Sequence, residues 1–190
     1  MTTERPITLQ EHAMRFGTLM GLFWIIKFIL FPLGFKIPLL QLLFILLTLF
    51  VPVLGYIYAR KFRNECCQGS LSFFRAFAFT FFMYMFASIL TAAVHYIYFR
   101  FIDNGFIFES YRTQLETLQS AAQGELSATV DQFMKAFETI ASLTPLQLTL
   151  QLVSQNIFYG TLLALPTALI VMKQKNTNAH GYICYRSFIQ

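Results

Sequence analysis

The stretch ARKFRNECCQGSLSFFR, residues Ala59–Arg75, is the only strongly basic segment of the chain, and long apolar runs flank it on both sides. Basic residues in short segments beside membrane spans collect on the cytoplasmic side of the membrane. The stretch therefore predicts a connection between two membrane helices, and it orients the whole chain.

The composition is that of a chain whose solvent is largely lipid. Of 190 residues, 56% are hydrophobic and only 12% are charged, and the mean hydropathy is +0.57. Soluble domains carry about 25% charged residues, so half that density indicates a membrane protein. The length suits one compact bundle, so residues 1–190 are predicted to form a single domain.

Four apolar runs are long enough to cross the hydrocarbon core, which takes about 20 helical residues each. We predict an all-α membrane protein with four transmembrane helices, at about 14–35, 37–59, 71–101 and 146–172. Pro52, inside the second span, removes a backbone hydrogen bond and predicts a kink there.

Local signals refine two of the spans. Residues Thr8–Glu11 have the Thr-x-x-Glu form of a capping box and favour a helix that begins near Leu9, with a frayed tail as the alternative. Gly17 and Gly21 form a GxxxG pair, which is typical of a packing face between helices. Gly160 in the fourth span indicates a bend or a close contact.

The segment 103–145, between the third and fourth spans, is the one sizeable water-exposed part of the chain. Its apolar residues recur at spacings of three and four, which predicts amphipathic helices with a break near Gly124. These residues are Phe108, Tyr111, Leu115, Leu118 and Ala122, then Val130, Phe133, Phe137 and Ile140. We prefer stripes that pack on each other over the bundle mouth; lying on the outer leaflet or docking a partner stay open.

The charge distribution predicts the orientation. Nine basic residues fall on the side of the two chain ends and the Ala59–Arg75 stretch, and four fall on the other side. The nine are Arg5, Arg15, Arg60, Lys61, Arg63, Arg75, Lys173, Lys175 and Arg186, and the four are Lys36, Arg100, Arg112 and Lys135. This asymmetry favours both termini in the cytoplasm. Because topology accounts for the basic residues, no nucleic-acid partner is predicted.

Sequence motifs of enzymes and of metal sites are absent. The chain has no HExxH, P-loop, GxSxG or Gly-rich dinucleotide loop. Its three cysteines, Cys66, Cys67 and Cys184, form no CxxC and no Cys/His cluster at zinc spacing. We therefore predict no catalytic residue, metal or cofactor, and a protein that is not an enzyme.

Four polar residues inside the spans form the candidate intramembrane site: Lys27, His95, Gln155 and Asn156. Lys27 lies ~12 Å below the outer end of its span at 1.5 Å per residue. Intramembrane ionisable residues are costly and usually face a bundle interior or a cavity. The other three come at similar depth if all four spans cross. The alternatives are a snorkelling Lys27, a satisfied interfacial His95, and amides that only join helices.

The basic residues Arg60, Lys61, Arg63 and Arg75 have a second interpretation beyond orientation. They are candidate contacts for anionic lipid headgroups, worth ~1 kcal/mol each. Orientation alone explains them adequately.

Several short motifs give the chain a likeness to a known family. They are RKFR at 60–63, GSLSF at 69–73, MKAFETIASLTP at 134–145, and the run from Gly160 to the lysines after the fourth span. The chain resembles the four-span bacterial membrane proteins grouped as domain of unknown function 4199 (DUF4199), found mainly in Bacteroidetes. The resemblance implies the bacterial cytoplasmic (inner) membrane and a periplasmic segment between the third and fourth spans. It implies no activity, ligand or catalytic residue.

Two functions of different classes fit these observations. The first, which we favour slightly, is a non-enzymatic subunit or scaffold of an envelope complex, with a membrane-protein partner or a second copy docked on the amphipathic helices. The second is a small transporter or lipid-handling protein that uses the polar cluster. Membrane lipid is a partner in both, and the tail 176–190 has no assigned role.

Overall fold

Six α-helices and one short π-helical turn make up the computed structural model, which describes residues 8–122 and 125–173. Four of the helices are long and apolar enough to cross a membrane, so the predicted all-α, four-span architecture is confirmed. Gly124 and the tail lie outside the described residues. The elements are α1 (Leu9–Gly34), α2 (Pro38–Cys66), α3 (Phe73–Ile97) with its π-helical continuation (Tyr98–Ile102), α4 (Phe106–Ala121), α5 (Glu125–Ala141) and α6 (Pro145–Val171).

Capping boxes set the first residues of α1 and α6. The Thr8 side chain accepts from the Glu11 amide at 3.2 Å, and the Glu11 carboxylate accepts from the Thr8 amide at 2.6 Å. Thr144 and Gln147 form the same reciprocal pair, with Pro145 in the first turn. Such caps are worth about 1 kcal/mol each. The predicted cap at Thr8 is confirmed, and α1 begins at Leu9.

The second helix is longer than predicted, because the basic stretch is mostly helical. The prediction ended this span at residue 59, whereas α2 continues to Cys66. Arg, Lys and Glu are good helix formers, and no helix breaker lies in residues 60–66. The first breaker is Gly69, which has a φ of +79°. The connection to α3 is therefore only residues 67–72 long.

The third helix lies at the centre of the bundle, with its largest interfaces against α1 and α6. The second helix packs mainly on α1 and α6 and has a smaller contact with α3. Its buried residues follow one another at spacings that keep them on the inner side of the helix. They are Ala76, Phe79, Thr80, Met83, Tyr84, Ala87, Ser88, Thr91 and His95. Many are small, so neighbouring helices approach closely.

The glycine pair of α1 forms the closest part of the α1–α3 interface. A Cβ atom at Gly17 would lie 2.8 Å from the carbonyl oxygen of Met83 and 2.8 Å from the Cβ of Phe86. A Cβ at Gly21 would lie 3.3 Å from the Cα of Ala87. The predicted packing face is therefore confirmed.

All four spans meet at Tyr84, whose side chain is only 1% exposed. Its ring stacks on Trp24 of α1, with centroids 6.0 Å apart and planes 17° apart. On α2, a Cβ at Gly55 would overlap the Tyr84 hydroxyl. On α6, a Cβ at Gly160 would lie 2.7 Å from the Tyr84 Cβ, which confirms the predicted close contact.

The helices α4 and α5 pack against each other over one end of the bundle. The Phe137 ring lies 5.9 Å from Phe108 and 6.4 Å from Tyr111, centroid to centroid. The Arg112 guanidinium donates to both carboxylate oxygens of Glu138 at 3.1 Å. The preferred self-packing of the stripes is confirmed for these residues. We call this the hairpin end, and the opposite end, which carries Ala59–Arg75, the basic end.

We expect Gly17→Ala to lower the free energy of unfolding by about 1–3 kcal/mol, the usual cost of overpacking. Alanine is the better helix former by ~1 kcal/mol, so any loss must come from the contact with α3. Thermal unfolding of the purified protein in detergent measures the change. Thr18→Ala, on the adjacent exposed position, is the matched control and should leave stability within about 0.5 kcal/mol. Equal effects of the two variants would contradict the assignment.

Candidate functional site

A cavity of about 390 Å³ lies at the hairpin end of the bundle. The Trp24–Tyr84 stack bounds it on the deep side, and α4 and α5 roof it. All six α-helices contribute to its wall, which is mostly aromatic and aliphatic. The lining residues are Trp24, Lys27, Phe28, Phe31, Phe44, Thr91, His95, Phe99, Ile107, Phe108, Tyr111, Phe137, Ile140, Leu148, Leu152 and Asn156.

The course of α2 accounts for the cavity. The buried residues of this helix are Val51, Gly55, Ala59 and Phe62, all in its basic-end half. Residues 38–50 bury none of their side chains, and Phe44 is the one position of α2 in the cavity wall. The bundle is therefore closed by four helices toward the basic end and opens toward the hairpin end. The helix runs unbroken through Pro52, and the predicted kink stays a prediction.

Three of the four predicted polar residues line the cavity together: Lys27 on α1, His95 on α3 and Asn156 on α6. Gln155 does not, and its side chain is exposed on the outer side of α6. Successive helix positions differ in direction by about 100°, so only one of two neighbours faces the cavity. Of these two neighbouring amides, Asn156 is therefore the one in the cavity wall. Whether the cluster acts as a functional site stays a prediction.

His95 is 7% exposed, and aromatic rings hold its imidazole in place. Its ring centroid lies 4.2 Å from that of Phe28, edge to face, and 6.4 Å from that of Phe99. Its Nδ1 atom is buried and has no hydrogen-bond partner among the described residues. A buried polar atom without a partner costs about 1–3 kcal/mol. The Nδ1 atom of His95 is therefore available for a hydrogen bond to a group in the cavity.

Lys27 is half-buried, and its ammonium lies over an aromatic ring. The Nζ atom is 5.3 Å from the ring centroid of Phe44, within the range of a cation–π interaction. Within the described part of the chain, no carboxylate lies at ion-pair distance from it. An aromatic face, and no counter-charge, therefore lies against the Lys27 ammonium within residues 8–122 and 125–173.

Trp24 and Tyr111 add two further polar atoms to the wall. The buried Nε1 of Trp24 has no hydrogen-bond partner within residues 8–122 and 125–173. Tyr111 roofs the cavity from α4 and contacts Phe35 of α1, ring centroid to ring centroid, at 5.0 Å. Burial raises the pKa of the Tyr111 phenol above its ordinary value, so this hydroxyl stays protonated.

The sequence interpretation overlooked Trp24, although a signal for it exists. Trp24, Lys27, Phe28 and Phe31 recur at i, i+3, i+4 and i+7, which places them on one side of α1. Gln41, an uncharged polar residue of α2 near this end, packs against Gly34 at the α1–α2 turn and is not part of the wall.

The four basic residues of the basic end have different surroundings. Arg63 donates to the carbonyl oxygen of Val171 at 3.0 Å and so satisfies an end of α6. Lys61 lies 3.9 Å from Glu65 in an exposed ion pair, and Arg60 is exposed. Arg75 is half-buried on the first turn of α3. Lipid contacts of these residues stay a prediction, with Arg60 and Lys61 the better placed.

Metal ligands do not cluster in the described part of the chain, where no three His, Cys, Asp or Glu side chains come together.

Residues 15–173 match the sequence profile of a family described as "Protein of unknown function (DUF4199)". The chain belongs to the DUF4199 family. The match covers all four spans and the cavity, and it confirms the resemblance seen in the short motifs. No curated protein matches the chain. No solved structure matches it either.

We expect Lys27→Leu in this DUF4199 protein to give folded protein whose free energy of unfolding is unchanged or about 1 kcal/mol higher. The reason is that an ammonium group in an apolar wall raises the free energy of the folded state, whereas a leucine side chain does not. Thermal unfolding in detergent measures this, with Lys36→Leu at an exposed position as the control. A loss of about 2 kcal/mol or more would show that Lys27 supports the fold.

Proposed function

We propose that this protein binds a membrane-derived amphiphile in the hairpin-end cavity, as a non-enzymatic multi-pass protein of the bacterial cytoplasmic membrane. The observation that carries the proposal is the cavity itself. Ligand sites are typically 300–1,000 Å³, mostly apolar, and equipped with a few convergent polar groups. A volume of about 390 Å³ with an aromatic wall and three inward polar residues fits that description.

A ligand from the membrane suits this cavity better than a water-soluble one. The helix α2 contributes only Phe44 to the wall. The neighbouring α2 positions are large and exposed, with Leu39 71% and Leu49 67% exposed. In a bilayer these side chains face hydrocarbon, so an apolar chain reaches the cavity from the side without crossing water. This is the lipid-handling alternative of the two functions considered above.

The orientation we propose puts the basic end and both chain ends in the cytoplasm and the hairpin in the periplasm. It rests on the nine-to-four distribution of basic residues between the two sides. The cavity then opens in the outer half of the bilayer.

A specific observation also favours the scaffold function. Leu126 and Phe133 lie seven residues apart on α5 and are both exposed, so they form one apolar stripe. An envelope partner or a second copy of the chain would cover such a stripe. We rank this second, because the stripe lies at the level where lipid headgroups also meet the protein.

The orientation predicts opposite accessibility of the two ends. In a variant with all cysteines replaced by serine, we expect Ser120→Cys on α4 to react with a membrane-impermeant maleimide in intact spheroplasts. Asn64→Cys at the basic end should react only after permeabilisation. Both positions are exposed, so each serves as the control for the other. The reverse pattern of labelling would contradict the orientation.

Trp24 is the only tryptophan of the chain and lies in the cavity wall, so its fluorescence reports binding. We expect a long-chain brominated amphiphile to quench Trp24 saturably in detergent micelles. Leu152→Phe, which fills part of the cavity, should weaken the binding at least about fivefold, because even one added methylene costs ~1 kcal/mol or more in a full site and phenylalanine adds three carbon atoms.

The matched control moves the reporter out of the cavity. Trp24→Phe combined with Ile89→Trp places the indole on an exposed position of α3, near the level where Gly21 meets Ala87. This reporter should show only linear, unsaturable quenching from amphiphile in the micelle. Identical curves for the two reporters would contradict ligand binding and leave the scaffold as the better supported function.

A further inference from the structure

We infer that the ligand of this cavity is an anionic amphiphile, whose carboxylate or phosphate headgroup is bound between Lys27, His95 and Trp24. This inference rests on the proposed binding function and names the class of ligand. It follows from the kind of polar atoms in the wall and from their charge.

The unsatisfied atoms of the cavity wall favour an acceptor. The Trp24 indole nitrogen can only donate a hydrogen bond, and the Lys27 ammonium has three donors and no acceptor. The buried Nδ1 of His95 donates in one tautomer. Both Trp24 Nε1 and His95 Nδ1 lack partners within the described residues, and each side chain is more than nine-tenths buried. Carboxylate and phosphate oxygens satisfy several donors at once.

The charge of the wall points the same way. Lys27 supplies a positive charge, and neither Asp nor Glu is among the lining residues. An isolated ammonium in apolar surroundings is costly, whereas an anion held against it forms a charge-assisted hydrogen bond. A cationic ligand would meet repulsion from Lys27, and the Phe44 face that could receive it is already covered by that ammonium. A neutral ligand would leave the charge unbalanced.

The polar side chains of the wall follow one another below the roof. Trp24 stacks on Tyr84 at the deep end, and Lys27 and His95 lie further toward the hairpin end, on either side of the Phe28 position. The roof at the other end presents Phe137 and Ile140 from α5. Lys27 lies seven residues from the end of α1, so ~10 Å below it. A headgroup bound there is drawn below its normal level in the leaflet, which distinguishes a bound ligand from lipid at the protein surface.

The test compares four brominated probes with the same single alkyl chain and different headgroups: a carboxylate, a phosphate, a primary alcohol and a trimethylammonium. Quenching of Trp24 in uncharged detergent gives each dissociation constant. We expect both anionic probes to bind at least tenfold more tightly than the alcohol, and the ammonium probe most weakly. The tighter of the two anions identifies the source of the ligand, a fatty-acid-type carboxylate or a phospholipid-type phosphate.

Variants of Lys27 assign the preference to its charge. Lys27→Gln should bind the alcohol as the parent protein does and lose the tenfold preference for anions. Lys27→Arg should keep the preference, and so should Lys36→Gln, which removes an exposed lysine at the end of the same helix. Thermal unfolding of each variant shows whether it is folded, and the four-probe comparison on the parent protein needs no variant.

Two failures have different meanings. Equal binding of the alcohol and the two anions, or an undiminished anion preference in folded Lys27→Gln, would overturn the anionic headgroup and leave amphiphile binding intact. Saturable quenching by none of the four probes would overturn the proposed function itself.

Discussion

The contact of Tyr84 with two glycines is the constraint on which the rest of the bundle depends. Because Gly55 and Gly160 have no side chains, α2 and α6 close onto the Tyr84 ring from two sides, while Trp24 stacks on it from α1. Beyond this level the inner side of α2 carries Phe44 and Leu47 instead of glycine or alanine, and both are only half-buried. The helix cannot approach equally closely there, so the same contact that closes one half of the bundle leaves a cavity in the other.

The hairpin is a consequence of that opening. Helices that diverge leave apolar side chains such as Phe31 and Phe35 without neighbours at the end of the bundle, and Tyr111 of α4 packs on both. The ion pair of Arg112 with Glu138 is exposed and is therefore worth little by itself. Ring packing, more than charge, must hold α4 and α5 over the cavity.

Hydropathy and residue spacing were enough to predict the four spans, the level of the polar residues along them and the close approach at Gly17 and Gly160. These features depend only on residue type and on the rise per residue. Rotation about a helix axis was not predictable in the same way. Gln155 and Asn156 share one depth, and only packing against α3 decides which faces the cavity. The end of α2 was misjudged because a basic segment was interpreted as a connecting loop, although its residues favour helix.

The two halves of the bundle differ in the side chains that they hold inside. Toward the basic end, small residues, aromatic stacking and the bond from Arg63 to α6 hold the helices together. Toward the hairpin end, the cavity wall holds the charged Lys27, and the buried ring nitrogens Trp24 Nε1 and His95 Nδ1 have no hydrogen-bond partner among the described residues. Apolar residues of similar volume at those positions would be no less stable, since unpaired buried polar groups each cost about 1–3 kcal/mol. The anionic headgroup proposed above would remove this cost, because its oxygens accept hydrogen bonds from several donors at once.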